Sequence, residues 1–180
     1  LLRDLKVQDL SGFFATLRAS LAHWGRQCAG NGGVPLRGSE SPLIVLLTPG
    51  PYNETYYEQA YLARYLGLPL VEGSDLTVRG GYVWITPPGG PKASPVERVD
   101  VILRRVDADW CDPLEMRGDS QLGVAGLTAA VRRGRVRLVN GLGAGVVENP
   151  ALQPFMPAVC ERLLGETLRL PSLPTWWCGD

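Results

Sequence analysis

Two short clusters hold the side chains best suited to chemistry. Thr48-Pro49-Gly50-Pro51, followed by Asn53, opens directly after five aliphatic residues, Leu43–Leu47. Arg104 and Arg105 with Asp107 close a second apolar run, VDVILRRV. The first loop could cradle a phosphate at a helix N-terminus. It is a poor copy of a phosphate loop, because Pro49 and Pro51 have no N–H and neither Gly-Lys-Ser/Thr nor GxGxxG follows. Its blander alternative is a rigid turn whose prolines fix the strand-to-helix angle. In the second cluster, charges at the end of a buried strand are costly unless paired or put to use.

The other candidates are weaker. Asp107, Asp109, Asp112 and Glu115 crowd one loop, VDADWCDPLEMRG. Paired carboxylates can hold a metal or do acid–base work, but this spacing matches no calcium loop. A solvated acidic loop with Trp110 pinned inward is the plainer reading. Cys28, Cys111, Cys160 and Cys178 form no CxxC pair, and His23 is the only histidine. A zinc site and a Ser-His-Asp triad are therefore disfavoured. Arg132, Arg133, Arg135 and Arg137 suit a helix C-terminus and its solvated surroundings. The glycines of NGLGAG, residues 140–145, allow close backbone approach and are a weak motif alone.

The elements that must position these residues follow from periodicity. Leu43–Leu47 reads as a strand buried on both faces, as in parallel sheets. Asn53 is expected to cap the next helix, with Glu54 on its first turn. Tyr57, Ala60, Tyr61 and Tyr65 follow at helical spacing until Gly67, and Leu68–Val71 is the next strand. In such a βαβ unit the loop after the first strand lies at the carboxyl edge of the sheet, where open α/β folds hold ligands. Leu76–Val78 and Tyr82–Ile85 flank Arg79-Gly80-Gly81, a hairpin signal. Val99–Val106 and Val136–Asn140 are further strands, and Leu122 to about Arg133 is a helix. Before the sheet, Leu10, Phe13, Phe14, Leu17 and Leu21 form a helical stripe over Val7–Trp24, with Asp9 and Ser11 as competing caps. Gly25–Pro42 reads as a linker, and Pro87–Pro95 as a floppy tip. Pro150–Leu164 is a helix bent by Pro154 and Pro157. The tail Leu168–Cys178 is extended, and its exposed tryptophans suggest a missing partner surface.

The bulk numbers bound the class. One compact domain is the simplest count for 180 residues. Eighteen basic and eighteen acidic residues cancel, so nothing points to nucleic acid or an anionic membrane. No apolar run approaches the roughly 20 residues of a membrane span. The first residue is not Met and the chain ends on WWCGD, which reads as a fragment of a longer, cytoplasmic protein. The fold class expected is α/β: a Rossmann-like three-layer domain with a mainly parallel sheet of about four or five strands, a β-hairpin insertion and flanking helices. Residues 1–42 are its N-terminal helix and linker, 43–165 the α/β body, and 166–180 a tail leading elsewhere.

Several stretches together resemble one family. LLTPGPYNETYYEQAYLARYLGLPLVEGSDLTVRGG, VDVILRRVDADWCDPLE, VRLVNGLGAGVVENPAL and LPTWWC are similar to the circularly permuted ATP-grasp proteins. These are relatives of glutathionylspermidine synthase and other carboxylate–amine ligases. The resemblance implies a substrate-side, Rossmann-like domain that precedes the ATP-grasp core. It also implies that Arg104-Arg105 and Val139-Asn140 face the substrate cleft, and that Thr48, Gly50, Asn53, Arg104, Arg105, Asp107 and Asn140 cluster there. ATP and magnesium are implied for the parent protein. No lysine and acidic set for holding them is found here, since Lys6 and Lys92 are the only lysines. The isolated chain is therefore expected to have no catalytic residue, with the remaining ATP-grasp domains and a small-molecule substrate as partners.

Two readings of another class stand beside this one. The chain could be a stand-alone module that binds a nucleotide or a small acid. It could also be a docking domain, forming homo-oligomers through its apolar tail.

Overall fold

The computed structural model describes residues 9–30, 41–86 and 97–179. They fall into two units that divide between Asn140 and Gly141. The Pro87–Pro95 tip, both lysines and most of the Gly25–Pro42 linker lie outside the described residues.

In the first unit, strand β1 (Ile44–Leu47) is the aliphatic run, and all four of its residues are buried. Helix α2 (Tyr56–Leu66) returns the chain to strand β2 (Leu70–Val71), parallel to β1. Gly67 ends the helix in left-handed backbone, φ 65°, a conformation only glycine adopts without strain. This is the expected βαβ unit. The helical stripe of tyrosines, however, faces outward: Tyr57, Tyr61 and Tyr65 are 80%, 58% and 45% exposed. Gln59, Ala63 and Leu66 take the inner side.

Strands β3 (Leu76–Arg79) and β4 (Tyr82–Ile85) form the expected hairpin. Gly80 and Gly81 turn it with φ 59° and 80°, the two positive values that a type I′ turn needs. VDVILRRV is not one strand. It divides at Asp100 into β5 (Arg98–Val99), antiparallel to β4, and β6 (Val101–Arg104), parallel to β1. Asp100 is buried and fastens the break: its Oδ2 accepts the Leu43 N–H at 3.0 Å, and its Oδ1 pairs with Arg98 at 2.9 Å. Strand β7 (Arg137–Val139) completes a four-stranded parallel sheet of order β2-β1-β6-β7, beside a three-stranded antiparallel sheet, β3-β4-β5. The α/β class is as expected, with the hairpin in a sheet of its own.

Helix α1 (Ser11–Gly30) lies on one face of the parallel sheet, where Phe14, Leu17 and Leu21 meet Ile44, Leu66, Leu68 and Val101. Alternation along the strands sends Val45, Leu47 and Ile102 to the opposite face, and these too are fully buried. Of the two expected caps neither holds the cap position, which is Leu10; Asp9 Oδ1 accepts the Ser11 N–H at 2.7 Å in a turn just before the helix. The helix continues past Trp24 because Gly25 can lie against the sheet. A Cβ there would stand 2.6 Å from Pro42 and 2.9 Å from Val101. Arg18 donates to the Leu66 carbonyl, tying α1 to the end of α2.

Helix α3 (Leu127–Arg132) is shorter than expected. Residues 119–126 turn instead, because Gly123 packs on the Trp110 and Cys111 backbone and Gly126 has φ 85°. The second unit holds a 3-10 turn at Ala144–Glu148, another at Pro150–Phe155, and helix α4 (Met156–Leu164). Pro154 and Pro157 thus divide the expected helix in two. The chain beyond Gly165 is irregular, with Leu170, Leu173, Trp176 and Trp177 exposed. Among the described residues, no helix is long and apolar enough to cross a membrane.

Candidate functional site

All four parallel strands deliver their following loops to one edge. From β1 the chain crosses to β2 on one side, while β6 lies on the other. Such a reversal of strand order opens a crevice at the carboxyl ends of the two central strands. The residues at this edge are Thr48, Pro49 and Gly50 after β1, Glu72 after β2, Arg104 at the end of β6 with Arg105 following it, and Asn140 after β7.

The β1 loop is held by a polar network. Thr48, 1% exposed, donates its hydroxyl to Gln59 Oε1 at 2.5 Å and accepts the Gly50 N–H at 3.1 Å. Gln59 Nε2 donates to Thr55 Oγ1 at 2.8 Å and to Asn53 Oδ1 at 3.2 Å. Asn53 Oδ1 also accepts the Thr55 N–H at 3.0 Å and its hydroxyl at 2.7 Å. Asn53 is therefore not the helix cap. It closes a turn before α2, Thr55 occupies the cap position, and Glu58 rather than Glu54 is the acidic residue of the first turn. With Oδ1 committed, the Asn53 Nδ2 donors have no partner among the described residues.

On the other side of the crevice, Arg104 and Arg105 differ. Arg104 is a strap: its Nε donates to the Asn140 carbonyl at 3.2 Å and its guanidinium also reaches the Val106 carbonyl. It thus joins the ends of β6 and β7. Arg105 donates its N–H to the Leu47 carbonyl at 2.8 Å, which sets it beside Thr48. Its side chain is exposed and has no partner among the described residues. Asp107 and Asn140 are also exposed. Thr48, Gly50 and Asn53 thus share one network, Arg104 touches Asn140, and Arg105 links the two groups through the backbone.

The acidic loop is less solvated than its composition suggests. Asp112 is fully buried and accepts three backbone N–H groups, from Leu114 at 3.0 Å, Gly126 at 3.0 Å and Thr128 at 2.9 Å. Burial pulls its pKa upward, but the three N–H bonds outweigh that and hold the carboxyl below its ordinary 3.8. Glu115 pairs with Arg132, and Trp110 lies under the Arg117 guanidinium, 4.0 Å from ring centre to charge. The Cys111 thiol donates to the Asp107 carbonyl at 3.3 Å. Burial pushes this thiol up to about 11, against the pull of Arg104, so it is an inert core group. Among the described residues no three His, Cys, Asp or Glu side chains gather as metal ligands. The donor set of the described residues at this edge does not fit a magnesium-triphosphate clamp.

Two residues at this edge escape periodicity. Gln59 looks like a surface helix residue and is buried by the network it satisfies. Glu72 follows the apolar Leu68–Val71 as Arg104 follows its own run, so the same strand-then-charge signal marks it.

The family of circularly permuted ATP-grasp type 2 proteins matches residues 1–180. The chain belongs to this family. The proteins it is similar to include an uncharacterized protein of Mycobacterium tuberculosis (strain ATCC 25618 / H37Rv), 51% identical over 141 residues. That match covers 78% of this chain and 15% of the relative. An uncharacterized protein of Synechocystis (strain ATCC 27184 / PCC 6803 / Kazusa) is 41% identical over 138 residues, 77% of this chain and 28% of its own length. A second M. tuberculosis protein is 42% identical over 137 residues, covering 76% of this chain and 24% of the relative. The matched part of the chain thus spans between 15% and 28% of the length of these relatives.

Proposed function

We propose that this chain is the substrate-side domain of an ATP-dependent carboxylate–amine ligase and is not catalytic alone. The observation that carries the reading is the exposed Arg105 side chain just past the end of β6, held beside β1 by its backbone and without a partner among the described residues. A guanidinium there would hold the carboxylate of a small-molecule substrate by charge-assisted N–H donors. Thr48 and Gly50 shape the loop, Arg104 keeps the ends of β6 and β7 together, and Asp107 follows two residues after Arg105 as an exposed carboxylate. ATP and magnesium belong, on this reading, to the remaining ATP-grasp domains of the parent chain. Phosphoryl transfer rests on positioning and neutralisation of charge, for which the described residues gather no cation clamp. A ligase that consumes ATP fits a cytoplasmic protein.

The test is thermal melting of this chain with magnesium-ATP, beside turnover of the parent carrying Arg105→Ala. A ligand at a hundred times its dissociation constant adds about 2.7 kcal/mol, a shift of several degrees. No shift is expected. A saturable shift would refute this division of labour in favour of a stand-alone nucleotide module. In the parent, losing a charge-assisted contact worth about 1.5–3 kcal/mol lowers kcat/KM by roughly 10- to 150-fold. Unchanged kinetics would remove Arg105 from the site.

One observation favours a second role, docking or self-association. Leu170, Leu173 and Trp176 are 86%, 85% and 78% exposed in a segment without regular structure. A mass that rises with concentration, and stops rising when residues 168–180 are removed, would establish it.

A further inference from the structure

The strand next to β1, on the side away from β6, ends in a carboxylate. Glu72 follows β2 directly, and its carboxyl group lies against Gly50. A Cβ on Gly50 would stand 3.3 Å from Glu72 Cδ and Oε2. Gly50 has φ 99°, backbone that a side chain rarely adopts, so the loop passes the carboxylate without a side chain of its own in the way. Across β1 stands Arg105, anchored by its N–H to Leu47, its exposed guanidinium without a partner among the described residues. Neighbouring strands are about 5 Å apart, so the ends of β2 and β6, with β1 between them, stand about 10 Å apart. A crevice with an anion on one wall and a cation on the other favours a ligand that carries both charges, several bonds apart.

We propose that Glu72 binds the ammonium group of the substrate, and that the substrate is a zwitterion of short-peptide length. Its ammonium group meets Glu72 and its carboxylate meets Arg105. A simple acid would leave Glu72 facing an anion, and a polyamine would leave Arg105 facing a cation. The inference rests on the carboxyl-edge reading above and adds the substrate class to it. A peptide residue spans at most about 3.5 Å, so two to three residues match the separation of the walls.

Glu72 also takes part in a reciprocal cap with Asp75 on the 3-10 turn Gly73–Asp75, where its own N–H donates to Asp75 Oδ2 at 2.9 Å. Glutamine keeps an acceptor oxygen for that cap and removes only the charge. Glu72→Gln therefore separates recognition from architecture.

The experiment measures binding of triglycine, N-acetyl-triglycine and triglycine amide to the full-length protein by saturation-transfer NMR and calorimetry. The wild type is expected to prefer triglycine over each blocked form by roughly tenfold or more, the worth of one charged contact. Glu72→Gln should lose the preference over N-acetyl-triglycine and keep the preference over the amide. Arg105→Ala should do the reverse, and both variants should melt as the wild type does. A Glu72→Gln protein that still discriminates against N-acetyl-triglycine overturns the role of Glu72, while the Arg105→Ala result tests the edge reading separately. No preference in either variant's wild-type parent, or no binding of triglycine at all, overturns the proposal. If Arg105→Ala also leaves the preference for a free carboxylate intact, the edge reading fails with it.

Discussion

Replacing Asp112 by alanine should destabilise the protein more than any change to its neighbours in the acidic loop. The carboxylate is fully buried and is the acceptor for the N–H groups of Leu114, Gly126 and Thr128. A hydrogen bond to a charged group contributes about 1.5–3 kcal/mol, and a buried donor left without a partner costs about 1–3 kcal/mol. The three bonds share one acceptor and do not add fully, so the loss should be about 3–5 kcal/mol. At this chain length that lowers the melting temperature by on the order of 10 °C. The assay is urea and thermal unfolding followed by circular dichroism, from pH 7 down to pH 3. The pH dependence has a definite sign. The folded carboxyl is held below its ordinary 3.8 and returns to that value on unfolding. Its contribution is therefore complete above about pH 5 and disappears as acid titrates the folded form. The gap between wild type and Asp112→Ala should narrow on acidification. A loss below about 1 kcal/mol, or a gap that widens in acid, would refute the reasoning.

Two further substitutions test the packing. Gly25→Ala improves helix propensity by about 1 kcal/mol, yet its Cβ would press on Pro42 and Val101, and overpacking costs about 1–3 kcal/mol. The net change should be destabilising, and a raised melting temperature would show that α1 does not rest on the sheet through this glycine. Tyr61→Ala should change stability by no more than about 0.5 kcal/mol, because the ring is 58% exposed. A loss of about 3 kcal/mol, the cost of emptying a core aromatic site, would mean that the ring is buried.

The sequence was most readable where one local signal decides the outcome. Leu43–Leu47 could only be a buried strand, and Gly80-Gly81 between two apolar runs could only turn a hairpin. It was least readable where burial depends on distant partners. Tyr57, Tyr61 and Tyr65 have helical spacing, but a phenol suits either side of a helix, and the polar network of Thr48 and Asn53 drew Gln59 inward instead. Periodicity cannot tell one strand from two that change sheets, so VDVILRRV read as continuous. The acid near its start, Asp100, was the available hint. Asp112 was lost among three other carboxylates because only tertiary contacts distinguish it. At the candidate site, the charges that end the buried strands marked the edge, whereas the separate tasks of Arg104 and Arg105 emerged only from their partners.

The break at Asp100 has a consequence for building hybrids among these relatives. Residues 98–104 contribute to two sheets, and the acid at the break holds Leu43, the residue just before β1, as well as Arg98. The hairpin sheet is therefore not a cassette that can be exchanged by cutting at its last strand. A crossover placed between Arg98 and Val101 would leave each donor with half of a joint, and the start of β1 without its acceptor. Exchanges that carry Leu43, Arg98 and Asp100 from one parent should fold, and those that mix them should not.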